Sequence, residues 1–424
     1  MIKFLLKGLL RDKHRSRLPI IVVAIGVMLT VLMTTWITGI LGDSITLSAK
    51  LMTGHVKVIT QAYEENQDLV PIDLSLTGSE ELIEQLRKEY PDVAWVERIQ
   101  FGGLLDVPDE NGETKSQGPF AGIAADLFDQ SSGEVDRLNL KQVLVEGRLP
   151  ASEGEIVISQ SFASKLGIKA GNMVTFIGST MYGGMSIMNY TVTGMVYFGI
   201  AALDRGAVIM DISDARKALD MDDACNEILG FTDVDYYDDG KATALMTSFS
   251  SNHPAGDDEF APVMERLRDQ NDLGSIIDMM DNVVSIVSFI FLLVLGVVLW
   301  NAGLIGGLRR YGEVGLRLAM GEEKGHIYRS MIMESLAIGV AGSIIGIAAG
   351  MGLSLWIQKN GLDFSGVMQN ATMLLPGILK TRITAEAWYI GFIPGIFATI
   401  LGTMLSGIGI YRRQTARLFK ELQS

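Results

Sequence analysis

Four stretches of the chain are almost purely apolar. They are Leu18–Leu41, Val283–Ile305, Ile332–Trp356 and Trp388–Ile410. Each is 23 to 25 residues long, and the one charged residue within them is Glu334, near the start of the third. An apolar run of about 20 residues is long enough to cross the hydrocarbon core of a bilayer as a helix. The pattern therefore predicts four transmembrane helices.

The region between the first two stretches, residues 43–282, shows short and mixed periodicities. Alternating β-branched runs predict strands, and apolar positions at three- and four-residue spacing predict helices. Strands are expected at Val56–Ile59, Val93–Val96, Gly103–Val107, Glu155–Ser159, Met173–Ile177 and Tyr190–Val196, and helices at Ser79–Tyr90, Ser161–Leu166 and Ser213–Leu219. Asp233–Gly256 is acidic and predicts loops, whereas Met264–Val283 predicts a helix that continues into the second span. The predicted fold is an α-helical membrane protein with a large mixed α/β domain between its first and second helices.

Lysine and arginine are concentrated in three segments that flank the apolar stretches. Residues 1–17 carry six, residues 306–331 carry five and residues 411–424 carry four. Because basic residues near spans favour the cytoplasmic side, these segments and both termini are predicted to be cytoplasmic. Residues 43–282 and 357–387 are then extracytoplasmic. The helical spacing of apolar residues within 1–17 also predicts an amphipathic helix on the inner leaflet.

Charge and composition exclude several classes of function. Residues 43–282 contain 17 Lys and Arg against 41 Asp and Glu, so this domain repels nucleic acid. The single cysteine, Cys225, allows neither an internal disulfide nor a thiolate zinc site. The chain has no G-x-x-x-x-G-K-[ST] phosphate loop and no H-E-x-x-H motif, and its four histidines are scattered. We expect no catalytic activity, metal or cofactor in this chain, so any ATP and Mg²⁺ would be bound by a partner.

The segment that follows the second apolar stretch has a basic start, an amphipathic middle and several glycines. This pattern suits either docking on a soluble protein or an ordinary connecting loop. Its spaced residues are Asn301, Arg310, Glu313-Val314-Gly315, Leu318-Ala319-Met320-Gly321 and Glu334-Ser335-Leu336. The spacing resembles the signature of the FtsX-like permease family of ABC transporters, the MacB/LolCDE type. Arg317 lies one position before the arginine that is commonest in that family.

The outer region carries the same resemblance. Glu146-Gly147-Arg148, followed by Glu155–Ile158 and Ala163-x-x-Leu166-Gly167, is similar to the MacB-like periplasmic core. Gly54–Val58 with Tyr63 resembles the lipoprotein-releasing (LolC/LolE-like) branch.

The resemblance implies a permease subunit of the bacterial inner membrane. Its partners would be cytoplasmic ABC ATPase subunits, a second permease chain in a homo- or heterodimer, membrane lipids, and a lipoprotein substrate with a periplasmic carrier. It implies mechanotransmission, in which ATP-driven motion inside moves the outer domain and extracts or exports an amphiphilic substrate. The implied ATPase-docking residues are Arg310, Glu313, Gly315, Arg317 and Gly321. Two other functions stay open: a signalling scaffold that activates an external hydrolase or sensor, and drug or peptide efflux through a periplasmic adaptor.

Two further patterns concern packing and contact surfaces. Gly342, Gly346 and Gly350 form a small-residue stripe that predicts close helix packing in the third span. The stretch Ser179–Asn189 lies between two predicted hairpin strands and is rich in Met and Gly. Its adaptable apolar residues suit a carrier or partner contact, although a plain hairpin turn explains the stretch equally well. The candidate contact residues in this stretch are Met181, Tyr182, Met185 and Met188.

Overall fold

The structure, a computed structural model, describes residues 13–109, 111–232, 237–254, 256–270, 273–309, 316–363, 378–385 and 387–412. The chain divides into two units. The helical unit comprises Met1–Leu41, Met279–Leu362 and Leu379–Ser424. The sheet unit comprises Gly42–Asp278 and Asp363–Ile378. The predicted helix within residues 1–17 lies largely outside the described residues.

The helices and strands of both units follow one another in chain order. The helices are α1 Lys13–Ser48, α2 Gln61–Glu64, α3 Ser79–Glu89, α4 Glu134–Arg137, α5 Leu140–Val143, α6 Gln160–Leu166, α7 Ala201–Asp204, α8 Ile212–Leu219, α9 Asp239–Asn252, α10 Leu273–Arg309, α11 Lys324–Asn360, α12 Ala387–Ile390 and α13 Phe392–Arg412. The strands are β1 Val56–Thr60, β2 Leu76–Thr77, β3 Val93–Pro108, β4 Thr114–Ala125, β5 Leu144–Gly147, β6 Glu155–Ser159, β7 Met173–Ser179, β8 Met185–Val196, β9 Ala207–Asp211, β10 Ala224–Cys225, β11 Glu227–Thr232, β12 Pro262–Arg266, β13 Leu362–Asp363 and β14 Ile378–Leu379. A π-helical turn, Ala49–Thr53, follows α1, and 3₁₀ turns span Gln67–Leu69, Ile72–Leu74, Gln130–Ser132 and Leu267–Asp269.

Three helical stretches of the described chain are long and apolar enough to cross a membrane: Arg17–Thr53, Lys324–Asn360 and Ala387–Leu405. They contain the first, third and most of the fourth predicted spans. The second predicted span lies within α10, whose apolar stretch Ser285–Val298 is shorter than the other three. The count of four transmembrane helices therefore stays a prediction.

The helical unit is held together by a stripe of small and branched residues on α1. Val23, Val27 and Val31 recur every four residues, so they lie on one face, and they are buried with Ile347 and Met351 of α11. The Thr30, Thr34 and Thr35 hydroxyls donate to carbonyl oxygens four residues earlier at 2.9 Å. These bonds satisfy hydroxyls that have no water to bind in an apolar environment.

The sheet unit is built around one mixed sheet of ten strands in its described residues. The strand order is β12-β1-β11-β3-β4-β9-β6-β8-β5, and β7 pairs with both β3 and β8. Most neighbours are antiparallel, whereas β4 with β9 and β6 with β8 are parallel. The strand that follows α1 and the strand that precedes α10 are therefore neighbours at one edge of the sheet.

Both faces of this sheet are buried. Along β6, Ile156 and Ile158 join one apolar cluster, whereas Val157 between them joins another. In β9, Val208 and Ile209 are divided between the same two clusters. Because successive side chains point to opposite faces of a strand, a sheet covered on both sides has continuous apolar strands of this kind.

Two predicted strands are one strand in the structure. Val93–Val96 and Gly103–Val107 are the ends of β3, which is continuous over Val93–Pro108. The glycines do not break it, because aromatic rings occupy the space that a side chain would need. A Cβ added to Gly103 would lie 2.7 Å from the Phe176 ring, and one on Gly122 of the paired strand 2.4 Å from Phe101.

Two other predictions in the sheet unit were wrong. Most of the predicted loop Asp233–Gly256 is the helix α9, which begins where the Asp238 carboxylate accepts hydrogen bonds from two backbone N–H groups. The start of the predicted helix Met264–Val283 is instead β12, because pairing with β1 completes the sheet edge there. The helix that follows, α10, begins at Leu273.

Candidate functional site

The segment that joins α1 to the sheet is the π-helical turn Ala49–Thr53. Gly54 ends it with φ of 64°, and the Gly54 N–H donates to the Ala49 carbonyl at 2.8 Å. A Cβ at Gly54 would lie 2.6 Å from the Val56 carbonyl oxygen, so this position requires glycine. Two residues later the chain enters β1. The turn therefore fixes how the chain passes from a long helix into a sheet.

The strand β1 pairs directly with β12, the last strand before α10. Their antiparallel register places Lys57 opposite Glu265. The Leu267 N–H then donates to the His55 carbonyl at 3.1 Å. The two chain connections of the sheet unit thus meet on adjacent strands.

A buried polar cluster ties these strands to their neighbour β11. Lys57 Nζ donates to Glu227 Oε1 at 3.3 Å and to Gln67 Oε1 at 2.9 Å. Gln67 Nε2 donates to Glu265 Oε2 at 2.7 Å. Burial, opposed by the Lys57 ammonium, raises the pKa of Glu265 to about 7. Burial and the neighbouring Glu227 also raise the pKa of the Tyr63 hydroxyl. One lysine thus faces two buried carboxyl groups.

A second buried ion pair lies beneath the π-helical turn. Arg98 of β3 and Glu134 of α4 are both fully buried, with Arg98 Nε 2.7 Å from Glu134 Oε2. Arg98 Nη1 donates to the Leu51 carbonyl at 2.8 Å. Sequence reasoning missed this pair, because Arg98 stands between Glu97 and Ile99 in the stretch Val-Glu-Arg-Ile-Gln, and nothing there marks it as buried. Nothing in the sequence indicates that Glu134 is its partner, since the two residues are 36 positions apart.

The predicted docking segment is described in part. Arg310, Glu313 and Gly315 lie outside the described residues. Residues 316–319 form a helical turn, and the Arg317 side chain on it is exposed. Gly321 adopts φ of 88°, and no other group lies within 4 Å of a Cβ added there.

The described part of the segment contains one buried apolar residue and two exposed apolar residues. Ile327, at the start of α11, is buried against Leu318 and Met331. Leu316 and Met320 are 60% and 71% exposed, so their side chains have little cover within the described chain. An apolar surface beside a basic residue is suited to contact with another protein.

The glycine stripe of α11 faces α1. An added Cβ would lie 2.7 Å from Val23 at Gly342 and 2.6 Å from the Ala24 carbonyl oxygen at Gly346. At Gly350 it would lie 3.0 Å from Val31. The two helices therefore approach so closely along this stripe that even a methyl group meets backbone or side-chain atoms.

The Met-rich hairpin does not bring its four candidate residues onto one surface. Met181 is buried, and its N–H donates to the Leu219 carbonyl at 2.7 Å. Tyr182 lies in the turn and is exposed. Met185 starts β8, where it is exposed on the opposite face from Met188, because the two are three positions apart in a strand. The exposed apolar neighbour on the Met185 face is Ile187, which sequence reasoning did not single out.

The described residues contain no group of three or more His, Cys, Asp or Glu that could hold a metal ion. Cys225 is fully buried, and burial raises the pKa of its thiol.

Family models match two parts of the chain. The MacB-like periplasmic core domain matches residues 18–245, which is more than half of the chain. The FtsX-like permease C-terminal model matches residues 285–415. The chain belongs to the MacB/FtsX permease family. It is therefore a membrane protein whose sheet unit is a MacB-like periplasmic core domain, which we call the core domain.

Individual relatives match shorter segments. The chain is 33% identical over 91 residues to the macrolide export ATP-binding/permease protein MacB 1/2 of Paracoccus denitrificans, covering 22% of this chain and 14% of that protein. It is 23% identical over 156 residues to MacB of Psychrobacter arcticus, covering 36% of this chain and 22% of that protein. It is 24% identical over 154 residues to the uncharacterized ABC transporter permease YknZ of Bacillus subtilis, covering 36% and 38%. These matches span less than half the length of each relative.

Among solved structures, the chain is similar to the periplasmic region of MacB from Actinobacillus actinomycetemcomitans. The two share 12% identity with a TM-score of 0.35, over 55% of this chain and 95% of that one.

Proposed function

We propose that this permease couples ATP hydrolysis by a separate cytoplasmic ABC ATPase to movement of the core domain. In the proposed mechanism, mechanotransmission, that movement extracts or exports a lipoprotein or another amphiphilic substrate at the outer leaflet. The observation that carries the proposal is the pairing of β1 with β12, because it joins the strand after α1 to the strand before α10. A displacement of either connection is thereby shared by both strands.

The proposed receiver of force inside the cell is the docking segment. Its motif residues would bind the ATPase, with the exposed Arg317, Leu316 and Met320 as the described part of the contact. We expect Glu313→Ala and Gly315→Ala to lower co-purification of the ATPase and its stimulation. Glu323→Ala is the matched control, because Glu323 is exposed in the same segment but outside the motif. Normal association and stimulation in both motif variants would show that the docking assignment is wrong.

The proposed orientation places the docking segment and both termini in the cytoplasm. The native chain offers a clean background for labelling, because its single cysteine is buried. We expect Asp257→Cys, in the core domain, to react in intact cells with a maleimide that cannot cross the inner membrane. Glu323→Cys, outside the proposed ATPase contact, should react only after lysis. The reverse pattern would overturn the orientation.

A second permease chain and membrane lipid are the proposed neighbours of α10. Its described side chains between residues 283 and 298 are all at least partly exposed and mostly apolar. A helix of this composition needs either lipid or another helix around it. Cross-linking from Phe289→Cys would distinguish them, since a covalent dimer indicates a second permease chain. Monomer at all oxidant levels would exclude a second copy of this chain at Phe289 and leave lipid or a different permease chain.

Efflux is a second candidate function. The observation that favours it is the similarity to proteins named as macrolide export ATP-binding/permease proteins. Mass spectrometry of the permease purified with native lipids distinguishes efflux from extraction. A permease that extracts lipoproteins should retain an acylated protein or excess lipid. A signalling scaffold would retain neither and would bind a hydrolase or sensor. For extraction, the exposed Met185, Ile187 and Tyr182 of the hairpin are the proposed contact for a periplasmic carrier.

A further inference from the structure

Two fully buried side chains of the core domain donate hydrogen bonds to carbonyl groups of the π-helical turn. Arg98 Nη1 is 2.8 Å from the Leu51 oxygen, and Gln270 Nε2 is 3.4 Å from the Thr53 oxygen. We propose that Arg98 and Gln270 are positioning residues that lock this turn to the sheet, so that displacement of the end of α1 moves β3 and the start of α10 with it. This inference rests on the proposed function.

The turn itself departs from the regular α-helix that precedes it. A π-helix closes its hydrogen bonds from residue i to i+5 rather than i+4, and such turns are rare and frequently found at functional sites. Force applied to the end of α1 would deform Ala49–Thr53 unless the carbonyl groups of this turn were hydrogen-bonded to the sheet unit. The side chains of Arg98 and Gln270 make those hydrogen bonds.

Stability alone does not account for Arg98. Burying a guanidinium carries a large desolvation cost, and well-packed apolar residues often replace a buried ion pair without loss of stability. Arg98 Nη2 is also buried and has no partner among the described residues. A buried donor left without a partner lowers stability further. We therefore attribute the presence of Arg98 to its hydrogen bond with the Leu51 carbonyl, which an apolar residue could not make.

The Glu134 carboxylate fixes the orientation of the Arg98 guanidinium. Glu134 accepts from Arg98 through one oxygen and from Arg137 through the other, at 2.7 and 2.9 Å. Arg137 in turn lies over the Phe231 ring, 4.9 Å from its centre. With both Glu134 oxygens occupied, Arg98 is fixed where its second nitrogen meets the Leu51 carbonyl.

Arg98 lies on a part of β3 that is paired on both sides, so a displacement there would spread to both neighbouring strands. It pairs with Glu227 of β11 on one edge and with Ala125 of β4 on the other. Further along, Leu104–Asp106 of the same strand pair with β7 of the exposed hairpin. At about 3.3 Å per residue, this stretch of strand reaches roughly 20 Å from the turn. A rigid paired strand thus connects the end of α1 to the hairpin.

Gln270 provides the corresponding contact for the connection to α10. It follows the 3₁₀ turn after β12, and its carbonyl accepts from the Leu273 N–H at 2.9 Å, where α10 begins. The side-chain bond to Thr53 is long, so it is weaker than the bond from Arg98. We therefore expect Arg98 to make the larger contribution.

Hydrogen exchange of the full chain, purified in nanodiscs with its ATPase, tests this inference. Exchange is measured with ADP and with ATP plus vanadate, in peptides that cover β1 and the β7–β8 hairpin. Arg98→Lys keeps a positive charge opposite Glu134, but a single ammonium cannot reproduce the two divergent N–H bonds. Gln270→Leu removes the second contact. Arg216→Lys is the control, since Arg216 pairs with Glu97 of the same strand at 2.7 Å and donates its other hydrogen bonds to Ser79 and to the Ala224 carbonyl rather than to the turn.

The expected result is a nucleotide-dependent change of exchange in the wild type and in Arg216→Lys. In Arg98→Lys the change at the hairpin should fall about tenfold, as for loss of a charge-assisted hydrogen bond, with ATP hydrolysis retained. Gln270→Leu should show a smaller loss. If Arg98→Lys does not fold, Gln270→Leu decides, and a wild-type response in it overturns the inference. A wild-type response in a folded Arg98→Lys overturns the inference but leaves the proposed function standing. No nucleotide-dependent change in the wild type refutes the proposed function itself.

Discussion

The helical unit and the core domain use different means to bring their elements together. In the helical unit, glycines and valines let α1 and α11 approach closely, and threonine hydroxyls bond to carbonyl groups of their own helix, with Thr35 also 2.8 Å from the Ser354 hydroxyl of α11. In the core domain, apolar residues alternate between two buried faces, and charged pairs are enclosed beside them. Lipid gives helices little hydrophobic reason to associate, so shape complementarity decides there, whereas water drives burial in the sheet.

This difference predicts which substitutions each unit tolerates. Added volume should damage the helical unit, because its contact is already at van der Waals distance. Loss of a buried cation should damage the core domain, because its carboxylate partners stay buried. The predictions below test that contrast, beginning with the largest expected effect.

Lys57→Met should lower the free energy of unfolding by about 3–5 kcal/mol, since it leaves Glu227 and Glu265 buried without a cation. Lys217→Met is the control. Lys217 pairs with Glu153 at 2.6 Å, but both side chains are more than half exposed. Exposed pairs contribute about 0–1 kcal/mol. Tryptophan fluorescence during denaturation of the detergent-solubilised chain measures both, and equal effects would contradict the contrast.

Gly346→Ala should destabilise the helical unit by about 1–3 kcal/mol, the usual range for overpacking. The new methyl group would lie 2.6 Å from the Ala24 carbonyl oxygen, and this backbone atom cannot move aside easily. Gly352→Ala, in the same helix, is the control because no group lies within 4 Å of its added Cβ. That variant should be neutral or slightly more stable, given the higher helix propensity of alanine. Aggregation temperature in detergent compares them, and a Gly346→Ala variant as stable as wild type would refute the close approach.

Glu265→Gln should remove a pH dependence from the core domain. Burial raises the Glu265 pKa to about 7, from an ordinary value of 4.5. The folded state therefore holds this proton more tightly, so the stabilisation is complete below pH 4.5 and is lost as the pH rises through 7. At pH 8 the variant, which still accepts from Gln67, should be more stable than wild type by about 1–2 kcal/mol. At pH 5 the difference should be much smaller.

Glu155→Gln gives the opposite sign and serves as the control. The Arg148 guanidinium lowers the pKa of Glu155 to about 2, so that stabilisation is present above pH 4.5 and is lost as the pH falls towards 2. Glu155→Gln should therefore be less stable than wild type at neutral pH. Denaturation midpoints at both pH values check the two variants, and parallel curves for Glu265→Gln and wild type would contradict the assignment.

The sequence predicted elements best where local signals were complete. Helix α3 follows from its apolar spacing, and α6 ends at Gly167, which adopts a left-handed conformation with φ of 71°. The continuity of β3 through Gly103 could not be predicted, because it depends on Phe120 and Phe176 filling the space beside that glycine. Tertiary packing there overrides local propensity.

The site was harder to predict than the fold. The glycine stripe has a visible period, and the structure places it against α1. Composition alone indicates the hairpin candidates, and composition does not show that Met181 is buried while Met185 is exposed. The Arg98–Glu134 pair and the Gln270 contact join residues far apart in sequence, so only the folded chain reveals them.

Ile187→Ser should have the smallest effect on stability, within about 0.5 kcal/mol, because Ile187 is exposed on the outer face of β8. In the paired strand β7, Ile177 lies opposite Ile187, and its neighbour Phe176 points to the other face, where its ring is fully buried. Phe176→Ser should therefore be severely destabilising. One face of this hairpin is therefore buried and needed for folding, whereas the other is exposed and available for contact with a partner. If a periplasmic partner binds the Ile187 face, Ile187→Ser should weaken its binding without moving the denaturation midpoint, measured with immobilised permease. Unchanged binding by Ile187→Ser together with Met185→Ser would remove this face from the proposed contact.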